Sequence, residues 1–84
     1  MANIEIYTTN ICPYCVRAKQ LLTTKGLDWT EISVEDADER TKMIERANGK
    51  RSVPQIFINN KHIGGCDDLY ALEREKKLDE LLAA

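Results

Sequence analysis

Two cysteines three residues apart are the side chains in this chain best suited to chemistry. The CPYC motif, Cys12-Pro13-Tyr14-Cys15, follows a short apolar strand pattern and opens a helical pattern that runs from about Val16 to Lys25. A thiol at the start of a helix faces unpaired backbone N–H groups and the positive end of the helix dipole, and both favour the thiolate. The motif therefore predicts a thiol–disulfide exchange site.

The two thiols are expected to have different roles. Cys15 lies about one helical turn beyond Cys12, which lets the sulfurs meet without backbone movement. We expect Cys15 to be the more buried and the less ionised of the two. Cys12 is then the nucleophile that attacks an external disulfide, and Cys15 attacks the resulting mixed disulfide and releases the product.

Two other interpretations of the cysteines remain open from the residues alone. The pair could form an inert structural disulfide, although so short a bridge constrains the unfolded chain little. A zinc pattern, CxxC…HxxxC, is also formed by Cys12, Cys15, His62 and Cys66. Zinc-binding CxxC pairs usually lie in tight loops, whereas a helical pattern follows here at once. The simplest interpretation of His62 is a solvated residue of a hairpin.

Two stretches later in the chain have features of a binding site. We call Arg51-Ser52-Val53-Pro54 the proline segment and Gly64-Gly65-Cys66-Asp67-Asp68 the glycine segment. A cis bond before Pro54 would leave the Val53 backbone free to pair with an extended peptide, but residue types alone leave the isomer open. Glycines before a helix start let a ligand approach backbone N–H groups that can bind a carboxylate.

Single side chains of these stretches also suggest roles. Asp67 and Asp68 could pair with a ligand ammonium, and Asp67 is equally suited to cap the helix. Cys66 is expected to pack as a small apolar residue, and a thiol at a helix start can also be oxidised. Tyr14 is expected at the rim of the site.

Short alternating elements must position these stretches. Periodicity predicts strands over residues 3–8, 29–34, 53–58 and 61–63, with Asn59-Asn60 as a hairpin turn. Helices are predicted after Cys12, after Asp36 and around Asp67, and the last is either continuous or divided before Leu78. The order β-α-β-α-β-β-α predicts an α/β protein with a four-stranded mixed sheet flanked by three helices, formed as a single domain by residues 1–84.

Composition and charge limit the partners. The 84 residues are 43% hydrophobic and 31% charged with a net charge of -2, so no nucleic-acid footprint is expected. There is neither an apolar run long enough for a membrane span nor a visible signal peptide, which favours a cytoplasmic protein without a membrane partner. Three cysteines exclude a fully paired disulfide scaffold. We expect a monomer.

The three motifs in this order resemble the dithiol glutaredoxins, and most closely the short bacterial glutaredoxin-3 type. The resemblance covers essentially the whole chain, including Gln55-Ile56-Phe57-Ile58 and the run from His62 to Leu72. It implies a thioredoxin fold, a cis peptide bond before Pro54, and glutathione as a co-substrate extended across the three motifs. It implies neither a bound cofactor nor a metal.

The resemblance also implies roles for single residues. Cys12 would bond the sulfur of glutathione, Val53 would pair with its backbone beside Pro54 and Tyr14, and its γ-glutamyl end would lie on Gly65, Cys66 and Asp67. Arg51 and Lys50 are candidates for binding the glycine carboxylate, and Arg40 is a weaker candidate. Two residues depart from the family pattern: Thr9 stands where many relatives have Lys, which bears on the strength of glutathione binding, and Ser52 stands where Thr is usual.

The leading functional hypothesis is a glutathione-dependent oxidoreductase that reduces protein disulfides and protein–glutathione mixed disulfides. Ribonucleotide reductase is a substrate by family resemblance only. Two alternatives remain, a redoxin reduced by thioredoxin reductase and an iron–sulfur or zinc-binding module. Pro13 resembles the catalytic rather than the cluster-binding branch of the family.

Overall fold

Eight elements make up the computed structural model, which describes residues 2–83. In chain order they are β1 Ile4–Thr8, α1 Pro13–Thr24, β2 Thr30–Ser33, α2 Ala37–Arg46, β3 Gln55–Ile58, β4 Lys61–Gly64, α3 Cys66–Arg74 and α4 Leu78–Ala83. The predicted order is confirmed, and the C-terminal helical segment is divided in two. The division falls at Lys76, whose positive φ of 60° ends α3.

The sheet is mixed, as predicted, with the strand order β2-β1-β3-β4. β1 pairs with β2 in parallel, as a strand–helix–strand unit requires, and with β3 in the antiparallel sense. β3 and β4 form an antiparallel hairpin. Its turn is Asn59-Asn60, with φ values of 51° and 67°, the left-handed conformation that asparagine tolerates and tight hairpins need.

Helices cover both faces of the sheet because neighbouring strand residues point to opposite sides. On one face, Ile4, Ile6, Ile56 and Ile58 pack with residues of α1, α3 and α4. On the other face, Tyr7 and Phe57 pack with Met43 of α2. This is the thioredoxin fold expected from the sequence. Within residues 2–83, no helix combines the length and apolar character that crossing a membrane would need.

At the candidate site, the start of α1 agrees with the sequence prediction and the start of β3 differs from it. α1 begins at Pro13, directly after Cys12 as predicted, because Cys12 caps the helix and proline suits its first position. β3 begins at Gln55 rather than Val53. Pro54 has no N–H group to contribute to a strand ladder, so the proline segment stays outside the sheet.

Candidate active site

The Cys12 sulfur lies at the point where β1 gives way to α1. Cys12 is the N-cap residue of α1, with an extended backbone at φ -149° and ψ 99°. Its Sγ accepts a hydrogen bond from the backbone N–H of Cys15 at 3.1 Å. Cys12 is 9% exposed and so largely buried, but it is more accessible than Cys15 at 1%. A sulfur held by a helix N-terminal N–H group is placed to carry negative charge during an exchange reaction.

Cys15 lies in a different environment one turn further along α1. It is 1% exposed, so the prediction that it is the more buried thiol is confirmed. Burial, followed by the hydrogen bond with Cys12, raises the pKa of the Cys15 thiol well above its ordinary value. The backbone of Thr9 and the charge of Lys19 act in the opposite direction. Cys15 is therefore a protonated thiol at neutral pH, as the division of roles requires.

The proline segment faces the Cys12 sulfur. The Val53–Pro54 peptide bond is cis, which confirms the isomer implied by the family resemblance. The Val53 carbonyl oxygen lies 3.9 Å from Cys12 Sγ, within reach of a weak S–H donor. The Val53 N–H group has no hydrogen-bond partner within residues 2–83. Part of this backbone is thus available to an extended ligand beside the nucleophile.

The glycine segment presents the start of α3 to the same space. The Gly65 N–H group donates to Asp68 Oδ2 at 2.9 Å, so Asp68 caps the helix. The interpretation of Asp67 as the capping residue was therefore wrong. The exposed Asp67 carboxylate has no hydrogen-bond partner in the described part of the chain. At Gly64, φ is +120°, and a side chain would collide with the Asp68 carboxylate, which is why glycine suits this position.

The two segments and the rim of the CPYC motif enclose a cleft of about 260 Å³. It is lined by Tyr14, Lys50, Ser52, Val53, Pro54, Gln55, Gly65, Cys66, Asp67 and Asp68. Cys12 lies at its edge through the contact with Val53. The structure thus brings together all the predicted site residues except Arg51.

Arg51 does not line the cleft, whereas its neighbour Lys50 does. The Arg51 side chain is exposed, and its carbonyl oxygen accepts a hydrogen bond from Arg40 Nη1 at 3.2 Å. Arg40 is therefore bound to the backbone of the proline segment. Of the three basic candidates, Lys50 is the one placed beside a ligand in the cleft.

Cys66 and the residues around the CPYC motif complete the surroundings. Cys66 is 4% exposed and packs in the core, as predicted, and burial raises the pKa of its thiol. All three cysteines are free thiols in this structure. The large apolar side chains exposed in the described residues are Ile11 at 92%, Tyr14 at 55% and Val16 at 50%. All three lie within four residues of Cys12, and of these only Tyr14 was predicted as a site residue.

His62 is not the solvated hairpin residue that its position suggested. It is partly buried, its ring stacks on Phe57 with centroids 4.9 Å apart, and its Nε2 lies 2.7 Å from Gln55 Oε1. Burial, followed by the charge of Lys50, lowers the pKa of His62. Among residues 2–83, no group of three or more His, Cys, Asp or Glu side chains is arranged to hold a metal ion.

A second, larger groove lies along α1. Its volume is about 840 Å³, and its lining includes Val16, Lys19, Trp29, Glu31 and Tyr70. No cysteine contributes to this lining, and Lys19 and Glu31 are paired with each other at 3.2 Å. The smaller cleft is the candidate active site because it adjoins the nucleophile and contains unpaired polar groups.

Comparison with known proteins agrees with this geometry. Residues 4–63 match the family model described as Glutaredoxin. Glutaredoxin 3 of Escherichia coli strain K12 is 55% identical over 83 residues, covering 98% of this chain and 99% of that protein. The solution structure of glutaredoxin from Brucella melitensis has a TM-score of 0.85 at 53% identity, over 98% of this chain and 89% of that one.

A structure determined with glutathione is also similar. The crystal structure of a buckwheat glutaredoxin–glutathione complex has a TM-score of 0.88 at 29% identity, over 98% of this chain and 77% of that chain. The family model ends before the glycine segment, and the nearly full-length similarity to these proteins extends across it.

Proposed function

The chain belongs to the glutaredoxin family, whose members are oxidoreductases, and from that premise we propose that it is a glutathione-dependent enzyme working through the Cys12/Cys15 dithiol. Its substrates are protein–glutathione mixed disulfides and protein disulfides. The observation that carries the proposal is the meeting of the CPYC motif, the proline segment and the glycine segment at one cleft. A generic dithiol needs only the first of these.

The first step is exchange at Cys12. The Cys12 thiolate attacks the glutathione sulfur of a mixed disulfide, a Cys12–glutathione bond forms, and the protein leaves as a thiolate that takes up a proton. The Cys15 N–H group at 3.1 Å holds the attacking sulfur in place. A second glutathione thiolate then attacks the glutathionyl sulfur, which regenerates Cys12 and releases glutathione disulfide.

Protein disulfides require Cys15 as well. Attack by Cys12 leaves a mixed disulfide with the substrate protein, and the Cys15 thiol loses its proton and attacks Cys12 Sγ. The substrate leaves fully reduced, the enzyme holds a Cys12–Cys15 disulfide, and two glutathione molecules reduce it. Because burial raises the pKa of Cys15, this thiol stays protonated and does not compete with Cys12 for the first attack.

The cleft offers groups that match the parts of glutathione. The free Val53 N–H group suits its peptide backbone, and the first N–H groups of α3, which have no partner within the helix, suit its γ-glutamyl carboxylate. The unpaired Asp67 carboxylate suits the ammonium group beside it. Of the two main candidates, Arg51 and Lys50, it is Lys50 that supplies the positive charge for the glycine carboxylate.

The exposed apolar side chains support proteins as substrates. Ile11, Tyr14 and Val16 are exposed apolar residues on both sides of Cys12 in the sequence. Apolar surface next to a reactive group is typical of a contact region for proteins. Ribonucleotide reductase is a candidate substrate through the family resemblance alone.

Turnover of a glutathionylated peptide under two reducing systems tests the proposal. One system contains glutathione, glutathione reductase and NADPH, and the other contains thioredoxin reductase and NADPH without glutathione. We expect turnover with the first only. Cys12→Ser should abolish it, whereas Cys15→Ser should retain it and lose only the reduction of a peptide with an internal disulfide.

Three results would count against the proposal. Full activity of Cys12→Ser would exclude Cys12 as the nucleophile. Turnover with thioredoxin reductase alone would favour a redoxin of that system. A visible absorption band in the purified protein, together with bound iron, would favour a cluster-binding module.

A further inference from the structure

Gln55 is a polar residue in a position where β3 is otherwise apolar. Its side chain is 1% exposed, and the other residues of the strand, Ile56, Phe57 and Ile58, are buried hydrophobic residues. An amide removed from water destabilises a fold unless each of its polar atoms is hydrogen-bonded. Gln55 also borders the cleft, so the position joins the sheet to the candidate site.

Both ends of the Gln55 amide are bonded, and one end holds the proline segment. Gln55 Nε2 donates to the Ser52 carbonyl oxygen at 3.0 Å and to Ser52 Oγ at 3.3 Å. A carbonyl oxygen only accepts, which fixes the orientation of the amide and makes Oε1 the atom that faces His62. His62 Nε2, at 2.7 Å, is then the donor to that oxygen.

The His62 ring also contacts the neighbouring strand, where it stacks on Phe57. Phe57 and His62 are opposite each other in the β3–β4 pair, and their rings are stacked with an interplanar angle of 29°. The Arg46 guanidinium lies 4.0 Å from the centroid of the Phe57 ring. A continuous series of contacts therefore runs from α2 along one face of the sheet to Ser52, the residue before Val53.

We propose that Gln55 and His62 are positioning residues, which fix the Ser52–Pro54 backbone at the place where Val53 meets the peptide part of glutathione. The inference rests on the proposed function and extends it to residues that touch neither sulfur. Without the amide, the Ser52 carbonyl and hydroxyl lose their shared donor, and the Val53 backbone is no longer held against the cleft. The effect should concern recognition of glutathione and leave the reactivity of Cys12 unaltered.

Gln55→Glu is the sharpest test because it keeps the shape of the side chain and places an acceptor against the Ser52 carbonyl oxygen. With a glutathionylated peptide we expect the KM to rise about five- to tenfold, the loss of one hydrogen bond to a buried group, with kcat little changed. Single-turnover reduction of dithiobis(nitrobenzoate), a disulfide without glutathione, should keep the wild-type rate. His62→Phe retains the ring stack, removes the donor, and should move the KM in the same direction by a smaller factor.

A core variant of the same strand separates positioning from general weakening of the fold. Ile58→Val shortens a buried side chain of the same strand without touching Ser52, and it should leave both rates unchanged. An unchanged KM in folded Gln55→Glu, or in His62→Phe where Gln55→Glu does not fold, would overturn the inference. Equal losses with both substrates would also overturn it. If the wild-type protein does not use glutathione, the proposed function itself fails. If the wild-type protein uses glutathione and the variants behave like it, only the inference about Gln55 and His62 fails.

Discussion

On the α2 face of the sheet the charged and polar groups are paired with one another, whereas in the cleft several have no partner. Arg46 Nη2 lies 2.6 Å from Glu5 Oε1 and 3.2 Å from Asn60 Oδ1, and its Nη1 lies 3.2 Å from the Tyr7 hydroxyl. In the cleft, the Asp67 carboxylate and the Val53 N–H group have no hydrogen-bond partner within residues 2–83. The two regions are joined through Phe57, His62 and Gln55.

This difference indicates which polar groups serve the fold and which serve a ligand. A charge that is already paired and hydrogen-bonded within the protein contributes to stability and has less to offer a substrate. An accessible group without a partner in the protein can exchange its water for a ligand. We therefore expect substitutions on the α2 face to change stability with activity preserved, and substitutions of unpaired groups in the cleft to do the reverse.

Arg46→Met should have the largest effect on stability. The side chains of Arg46 and Glu5 are 28% and 21% exposed, so this ion pair is shielded more than a surface pair. Its removal should lower the free energy of unfolding by roughly 1–3 kcal/mol, measured by urea denaturation. The kcat of the folded enzyme should be unchanged, and a large fall in kcat would contradict the separation of the two regions.

Lys42→Met is the matched control for Arg46→Met. Lys42 is on the same helix and pairs with Glu39 at 3.3 Å, but its side chain is 68% exposed. An exposed pair of this kind is worth about 0.3–0.5 kcal/mol. A loss as large as that of Arg46→Met would show that α2 responds to any charge removal.

Cys15 is a buried thiol next to the cleft, and its burial should make the stability of the protein depend on pH in the alkaline range. Its pKa is raised above the ordinary 9.0, chiefly by burial, so it stays protonated in the folded state while the unfolded chain ionises. The unfolded state then binds fewer protons, and stability should fall as pH rises above 9, by up to about 1.4 kcal/mol per pH unit from this thiol. Below pH 9 both states are protonated and the contribution is constant.

Comparing wild type with Cys15→Ser under reducing conditions isolates that contribution. The variant should lose less stability than wild type between pH 8 and 10, whatever its stability at neutral pH. Parallel curves would contradict a buried, protonated Cys15. Cys66→Ser should deviate in the same direction, since burial also raises the pKa of that thiol.

Asp67→Asn should have the smallest effect on stability and a clear effect on recognition. Loss of the carboxylate should raise the KM for a glutathionylated peptide by roughly two- to fivefold, the effect of one solvent-exposed charged contact. The free energy of unfolding should stay within about 0.5 kcal/mol of wild type, as for most surface substitutions.

Asp68→Ala is the counterpart, because it removes the hydrogen bond to Gly65 and should cost roughly 1 kcal/mol of stability. Equal stability losses in the two variants would contradict the assignment of the cap to Asp68.

Most of the fold could be predicted from the sequence because its signals are local. Alternating strand residues, the asparagine hairpin and the glycine after α1 each act within a few residues. The start of β3 was less accessible, since it depends on how a proline leaves a sheet.

The sequence was less informative about how side chains pair across the site. Lys50 and Arg51 are adjacent and chemically similar, and only the path of the backbone decides which one lines the cleft. The capping role of Asp68 rather than Asp67 depends on a single helical position. The Gln55–His62 pair spans two strands, and neither residue type alone predicts it.

Mass spectrometry of the Cys15→Ser variant after incubation with glutathione disulfide tests the central claim most directly. Cys12 should displace one glutathione thiolate and retain the other half as a mixed disulfide, which cannot be resolved without Cys15. We predict one glutathionyl group per chain, located on Cys12 by peptide mapping and removed by reduced glutathione. A protein that remains unmodified, or one modified at Cys66 with Cys12 free, would contradict a glutathione-dependent reaction at Cys12.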